Sequence, residues 1–171
     1  MILGYTNVHD IAGGFSSWVH VSNYPVVTGT APVSSIVLSQ KPVITNQPIF
    51  TALNSFLSNL PDNYYSVDDI TLSNELTGAN APIVVDTNTA SDLQQYGHIE
   101  GAIFIPFSDF FNNIDKLPSK DQPIVIYAVG GGHSSILLMG LCMMGYTNVL
   151  NLKNGIYGWK NDNLPVQPGG G

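Results

Sequence analysis

The chain has 171 residues, enough for one domain plus an extension and a sizeable buried core. Its formal net charge is −7, and only 10% of its residues are charged, against ~25% in ordinary soluble domains. That balance argues against nucleic acid as a partner, because phosphate neutralisation needs abundant Lys and Arg.

In chain order, Met1-Ile2-Leu3-Gly4 carries no charged n-region and no apolar h-region, so no signal peptide is visible. A strand is expected over Tyr5 to Ile11 and a helix over Phe15 to His20. Residues 28–47, rich in Ser, Thr and Val and broken by Pro32 and Pro42, read as an extended linker. Pro48 opens an amphipathic helix with Ile49, Leu53, Phe56, Leu57 and Leu60 on one stripe, so that residues 48–61 form a linker helix ending at Pro61-Asp62-Asn63. Residues 62–168 then read as the main domain and residues 169–171 as a flexible tail.

Within that domain a short strand is expected at Tyr64-Tyr65. Ser66-Val67-Asp68-Asp69 reads as a capping-box start for a helix to Leu76. Further strands are expected near Ile83–Asp86, Ala102–Ile105, Ile124–Tyr127 and Asn148–Leu152. Helices should fall near Thr89–Gln95, Ser108–Asp115, Ser134–Met144 and Ile156–Asn161. Most of these strands are continuous apolar runs alternating with helices, the pattern of a parallel sheet buried on both faces. No run reaches the ~18 apolar residues of a membrane span, so no membrane insertion is expected.

The candidate site is the stretch from Ile124 to Ser135. A β-branched run ends at Tyr127-Ala128-Val129, three glycines follow (Gly130, Gly131, Gly132), and His133-Ser134 open a long apolar helix. A glycine-rich turn there brings backbone N–H groups together at the positive end of a helix dipole, a cradle for an anion or a thiolate. The first residue after the strand, where a nucleophile would stand, is Ala128, which carries no chemistry.

This loop, Ala128 to Ser134, resembles the Cys-x-x-Gly-x-Arg-Ser loop of the rhodanese-like (sulfurtransferase) family, with Ala128 at the cysteine, Gly131 at the glycine, His133 at the arginine and Ser134 at the serine. Ile83-Val84-Val85-Asp86-Thr87-Asn88 is similar to that family's strand ending in Asp-Val-Arg. Gly97-His98-Ile99-Glu100-Gly101-Ala102-Ile103-Phe104-Ile105-Pro106 is similar to its Gly-His-Ile-x-Gly-Ala-x-x-Ile-Pro signature. Gly145-Tyr146-Thr147-Asn148-Val149, Asn154-Gly155-Ile156-Tyr157-Gly158-Trp159 and Leu164-Pro165-Val166 match its closing strand and short helix. The resemblance runs from about Tyr64 to Val166. It implies an α/β fold with about five parallel strands flanked by helices on both faces.

It also implies a reaction that this chain lacks the means to perform. In the family the cysteine takes up a sulfane sulfur as a persulfide, whereas a methyl group offers no thiolate. Asn88 stands where an arginine follows the aspartate, Asp92 where the acid partnering that arginine would lie, and the segment from Asp86 to Gly97 is one residue longer than usual. Three readings follow: a non-catalytic module with a structural or interaction role, a sulfurtransferase whose cysteine has been replaced by Ala128, or a module binding a small inorganic anion reversibly. The anion loop would be Val129, Gly130, Gly131, Gly132, His133 and Ser134, with Asp86 behind it. No cofactor is called for, and no metal, because His133 has no second His, Asp or Cys near it in sequence.

Other conspicuous residues have plainer expectations. Cys142, the only cysteine, sits among apolar neighbours and reads as a small buried hydrophobe. His98 is expected to hydrogen-bond backbone in the Gly97–Gly101 corner, and Asp86 to cap the helix starting near Thr89. Trp18 and Trp159 read as core residues, while His9 and His20 have no visible partners.

The chain also repeats itself. Gly4-Tyr5-Thr6-Asn7-Val8 recurs as Gly145-Tyr146-Thr147-Asn148-Val149, Trp18 corresponds to Trp159, and Tyr24-Pro25-Val26 to Leu164-Pro165-Val166. Residues 1–27 therefore read as the last strand and helix of a first repeat. Their uncovered apolar pattern suggests a homo-oligomer or filament built through this segment. All five basic residues are lysines, asparagine occurs sixteen times and arginine is absent, a composition that points to an extracellular or cell-surface setting.

Overall fold

The computed structural model describes residue 3 and residues 5–11, 13–26, 28–29 and 43–169. The chain divides into two compact units, residues 1–52 and residues 53–171. Most of the expected linker, residues 30–42, and the last two residues of the expected tail lie outside the described residues.

In the first unit, α1 (Gly14–His20) forms where a helix is expected. The expected strand over residues 5–11 is not formed. A strand exists only as part of a paired ladder, and no sheet edge is present among the described residues of this unit. Helix α2 (Gln47–Ser58) starts one residue before Pro48 because Asn46 Oδ1 accepts the Ile49 N–H at 3.2 Å. It stops before Leu60, where the Asn59 side chain donates to the Ser55 carbonyl at 2.7 Å.

The second unit is built on five parallel strands: β1 (Ser66–Val67), β2 (Ile83–Asp86), β3 (Ile103–Phe104), β4 (Ile124–Tyr127) and β5 (Val149–Leu152), in the spatial order β1-β5-β4-β2-β3. This is the expected α/β architecture. Alternate residues along each strand face opposite ways. Val85, Ile124 and Ile126 join one apolar cluster with Phe110, Leu137, Leu138 and Leu141, whereas Val84, Val125 and Tyr127 join a second with Leu72, Ile156 and Trp159. The first cluster is covered by a 3-10 segment (Phe107–Lys116) and by helix α5 (Gly132–Met143). The second is covered by α3 (Asp69–Glu75) and α6 (Gly155–Asn161). Each fully buried aliphatic side chain contributes about 1.5–3 kcal/mol, so both faces of β2 and β4 are needed to hold the sheet.

Several boundaries differ from expectation for identifiable reasons. Tyr64 and Tyr65 have φ of 51° and 54°, a left-handed bend that no strand accepts, so pairing begins at Ser66. Ser66 is thus in the sheet and cannot cap α3. Asp68 does so instead, accepting the Thr71 N–H at 2.9 Å, and Asp69 is buried rather than reaching back as a capping-box acid. The expected helix over Ser108–Asp115 is a 3-10 segment broken at Asn113, where the Asp109 carboxylate draws in the side chains of Asn112 (2.8 Å) and Asn113 (2.6 Å). Helix α4 (Ala90–Tyr96) is capped by Thr89 and Asp92 in a reciprocal box, which leaves Asp86 free for another role. Cys142 is half-buried against the first apolar cluster, and burial pushes its thiol pKa up.

Candidate functional site

The chemistry-bearing loops lie past the carboxyl ends of β2 and β4, the end of a parallel sheet where ligands bind. The strands set the geometry. Asp86 and Tyr127 are register partners, so Thr87-Asn88 and Ala128-Val129 leave the sheet side by side. The Thr87 N–H donates to the Tyr127 carbonyl at 2.9 Å, and the Thr87 hydroxyl to the same oxygen at 2.7 Å.

The loop after β4 is pinned from behind by the start of α6. The Ala128 and Val129 carbonyls accept the N–H groups of Ile156 and Tyr157, both at 3.0 Å. Gly131 has φ 81°, and a Cβ there would stand 2.5 Å from the Lys153 carbonyl oxygen. Position 131 therefore needs glycine for both conformation and space. Ser134 is fully buried. Its hydroxyl lies 2.6 Å from Asn151 Oδ1 and 3.0 Å from the Gly131 carbonyl, while Asn151 Nδ2 donates to that carbonyl at 3.2 Å. Asn151, on β5, was not singled out from sequence, yet it ties the loop to the sheet.

In front of the loop is a cavity of about 750 Å³. Ala128, Val129, Gly130, Gly132 and His133 line it together with Asn88 and Phe107. Gly131, Ser134 and Asp86 do not: the first two form the rear of the loop, and Asp86 lies beneath it. None of the six amide N–H groups from Val129 to Ser134 donates to a group among the described residues, and they stand at the start of a 12-residue helix. The His133 ring packs against Phe107 with centroids 5.4 Å apart. Asn88 is 3% exposed, and its Nδ2 has no hydrogen-bond partner. No lysine lines the cavity, and the one carboxylate there, Asp92, is engaged by the Thr89 N–H (3.1 Å) and hydroxyl (2.6 Å). The arrangement can hold a small anion or a polar acceptor through neutral donors, but it offers no sulfur nucleophile.

Asp86 does not cap α4. Its Oδ2 accepts the Tyr127 hydroxyl at 2.6 Å and its Oδ1 the Asn88 N–H at 2.8 Å. Burial raises its pKa despite these bonds, and burial together with the Asp86 charge raises that of Tyr127. The Tyr127 oxygen in turn accepts the Ile99 N–H at 3.1 Å, which ties the loop around His98 to the sheet. His98 meets the chain through its main chain, paired with Gln167 at 2.9 and 2.8 Å. Its Nδ1 is buried without a partner, so the imidazole bond expected in that corner is absent. His9 pairs with Asn7 at 2.9 Å. Trp159 is buried, whereas Trp18, expected in a core, is more than a third exposed. Among the described residues no group of three or more His, Cys, Asp or Glu could hold a metal ion, and no helix is long and apolar enough to cross a membrane.

Comparison with known proteins agrees with this geometry. Residues 71–162 match the family described as Rhodanese-like domain. A protein named Sulfurtransferase from Allochromatium vinosum is 32% identical over 100 residues, covering 58% of this chain and 92% of that protein. The uncharacterized protein YibN of Escherichia coli K12 is 33% identical over 89 residues, 51% of this chain and 62% of YibN. Among solved structures, the Alr3790 protein from Anabaena sp. superposes with a TM-score of 0.55 at 27% identity, over 60% of this chain and 82% of that one. A rhodanese-related protein from Thermoplasma volcanium does so with a TM-score of 0.54 at 24% identity, over 60% and 96%.

Proposed function

We propose that this chain, which belongs to the rhodanese-like domain family, is a non-catalytic member with a structural or interaction role. One observation carries the reading: the residue at the head of the loop is Ala128, and a methyl group cannot accept and pass on a sulfur atom. The chain's one thiol does not substitute for it. Cys142 lies near the far end of α5, half-buried against apolar side chains, with a pKa raised by burial, the opposite of an activated nucleophile. The test is sulfur transfer from thiosulfate to cyanide by the full chain. The expected result is a rate equal to that of buffer, and turnover that survives alkylation of Cys142 would overturn the reading.

The unpaired amides of Val129, Gly130, Gly132 and His133, which line the cavity, favour a second reading, reversible binding of a small inorganic anion. Backbone donors do not depend on the residues this chain has exchanged. Without a guanidinium the charge-assisted, bidentate part of recognition is missing, which limits affinity to about millimolar, near −4 kcal/mol. Titration of sulfate or thiosulfate against the amide resonances of Gly130, Gly132 and His133 tests it, and unshifted resonances would dismiss it.

A further inference from the structure

Helices α3 and α6 pack together over the second apolar cluster, and a second cavity, of about 340 Å³, opens beside them. Asp69, from the first turn of α3, lines it. So do Tyr157, Gly158 and Asn161 of α6, together with Asn154 just before that helix and Asp162 just after it. Gly130 alone is shared with the cavity in front of the loop, so this is a separate space. No lysine lines it. Lys160, the one lysine of α6, donates instead to the Tyr96 carbonyl at 3.1 Å.

Asp69 forms the buried end of this cavity, while Asn154, Asn161 and Asp162 stand exposed at its rim. Asp69 is 3% exposed, and its Oδ1 is buried without a hydrogen-bond partner. A buried carboxylate left in that state is costly unless a positive charge meets it. Its Oδ2 reaches α6 at Gly158, where a Cβ would stand 2.7 Å away, so glycine is what admits the carboxylate there. Asp162 adds a second charge at the carboxyl end of α6, the end of a helix that favours cations. Asn154 holds the N-cap position of α6, yet its side chain makes no capping bond. Burial pushes the Asp69 pKa up, the Asn154 side chain offsets this only in part, and the Asp162 and Asp68 charges add to it.

We infer that this cavity is a calcium site, in which the carboxylates of Asp69 and Asp162 and the carboxamide oxygens of Asn154 and Asn161 hold the ion. Calcium takes about 6–8 oxygen ligands from carboxylates, amide carbonyls and water, in flexible geometry. The side chains lining this cavity offer that chemistry and no imidazole or thiolate, the ligands that zinc and copper prefer. Magnesium demands near-ideal octahedral geometry, which exposed asparagine side chains at a rim serve poorly. A divalent ion also answers both carboxylates at once, where an ammonium group would leave one charge uncompensated. With only two carboxylates and an exposed rim, the affinity belongs at the weak end of calcium sites, about 0.1–1 mM. Asp69 joins the residues around α6 only through the packing of two helices, so no local motif announces the set.

The full chain, freed of metal with a chelator, is titrated with terbium, a luminescent stand-in for calcium, and then with calcium itself. Tyr157 lines the cavity and serves as the energy donor, so excitation of tyrosine should give terbium emission that calcium quenches by displacement. Calcium should also raise the melting temperature. Asp162→Asn changes an exposed side chain and should weaken calcium binding by about tenfold, with the melting temperature in chelator unchanged. Asp69→Asn keeps the shape of the buried side chain and should abolish the calcium-dependent rise in melting temperature. Emission that calcium does not displace, or a melting temperature that calcium well above 1 mM leaves unmoved, overturns the inference. So does binding that both variants leave unchanged, since the ion would then sit on other surface acids.

Discussion

The Tyr127 hydroxyl donates to the Asp86 carboxylate across 2.6 Å, joining the last residues of β4 and β2 beneath the loop that would hold a ligand. Tyr127 is fully buried and Asp86 is 1% exposed. The carboxylate is therefore held by neutral donors alone, the phenol and the Asn88 N–H. The pattern recurs in this arginine-free chain: Asp109 is met by Asn112 and Asn113, Asp68 by Thr71, and Asp92 by Thr89.

Tyr127→Phe should remove the donor to a buried carboxylate and also the acceptor of the Ile99 N–H. Each unpaired buried group costs about 1–3 kcal/mol, so a loss of roughly 2–6 kcal/mol in denaturant unfolding is expected. A loss below ~1 kcal/mol would show that water or a rearranged side chain replaces the phenol.

The Asp86 carboxyl should titrate above the ordinary carboxylate value of ~3.9, whereas Asp68 and Asp109, held by hydrogen bonds, should titrate below it. As pH rises, the unfolded chain releases the Asp86 proton first and the folded chain later. Between those two values the unfolded state holds fewer protons, so the Asp86 contribution to stability falls with rising pH and then levels off. Carboxyl carbon NMR checks the order of the three midpoints, and an Asp86 midpoint at or below 3.9 would contradict it.

Gly131→Ala should destabilise the domain by ~2 kcal/mol or more, because the position combines φ 81° with a Cβ placed against the Lys153 carbonyl. Gly132→Ala, with nothing within 4 Å, is the matched control and should change stability little. Equal effects would mean that the loop is not pinned at Gly131. Thermal or denaturant unfolding reads both.

His133→Arg should strengthen sulfate binding at the loop by about tenfold, since a guanidinium adds paired, charge-assisted bonds to the backbone donors. The amide shifts of Gly130 and Gly132 report it. An unchanged affinity would place the anion site elsewhere.

Ala128→Cys asks whether the cradle still favours a thiolate. Its pKa should fall below the free-cysteine value of ~8.5, because unpaired N–H groups and the start of α5 stabilise the negative charge. A thiol titrating at or above that value would show that burial outweighs the donors.

Much of this was legible in sequence. The apolar runs Ile83–Asp86 and Ile124–Tyr127 are strands end to end, because continuous burial on both faces leaves no ambiguity of period. The glycine loop and its missing nucleophile were equally plain. What escaped were pairings between distant residues. Proximity to Thr89 in sequence points Asp86 to a helix cap, yet its partner is Tyr127, 41 positions away. Nothing in the sequence pairs Ser134 with Asn151, a residue of another strand that lies 2.6 Å from its hydroxyl. The left-handed bend at Tyr64-Tyr65 had no warning, as tyrosine ordinarily favours extended backbone.

The central claim, that this rhodanese-like chain takes up no transferable sulfane sulfur, is tested most directly by intact-mass spectrometry. A Cys142→Ser variant would be incubated with thiosulfate and then challenged with cyanide. The expected spectrum shows the unmodified mass throughout. A species heavier by one sulfur atom that cyanide discharges would contradict the claim.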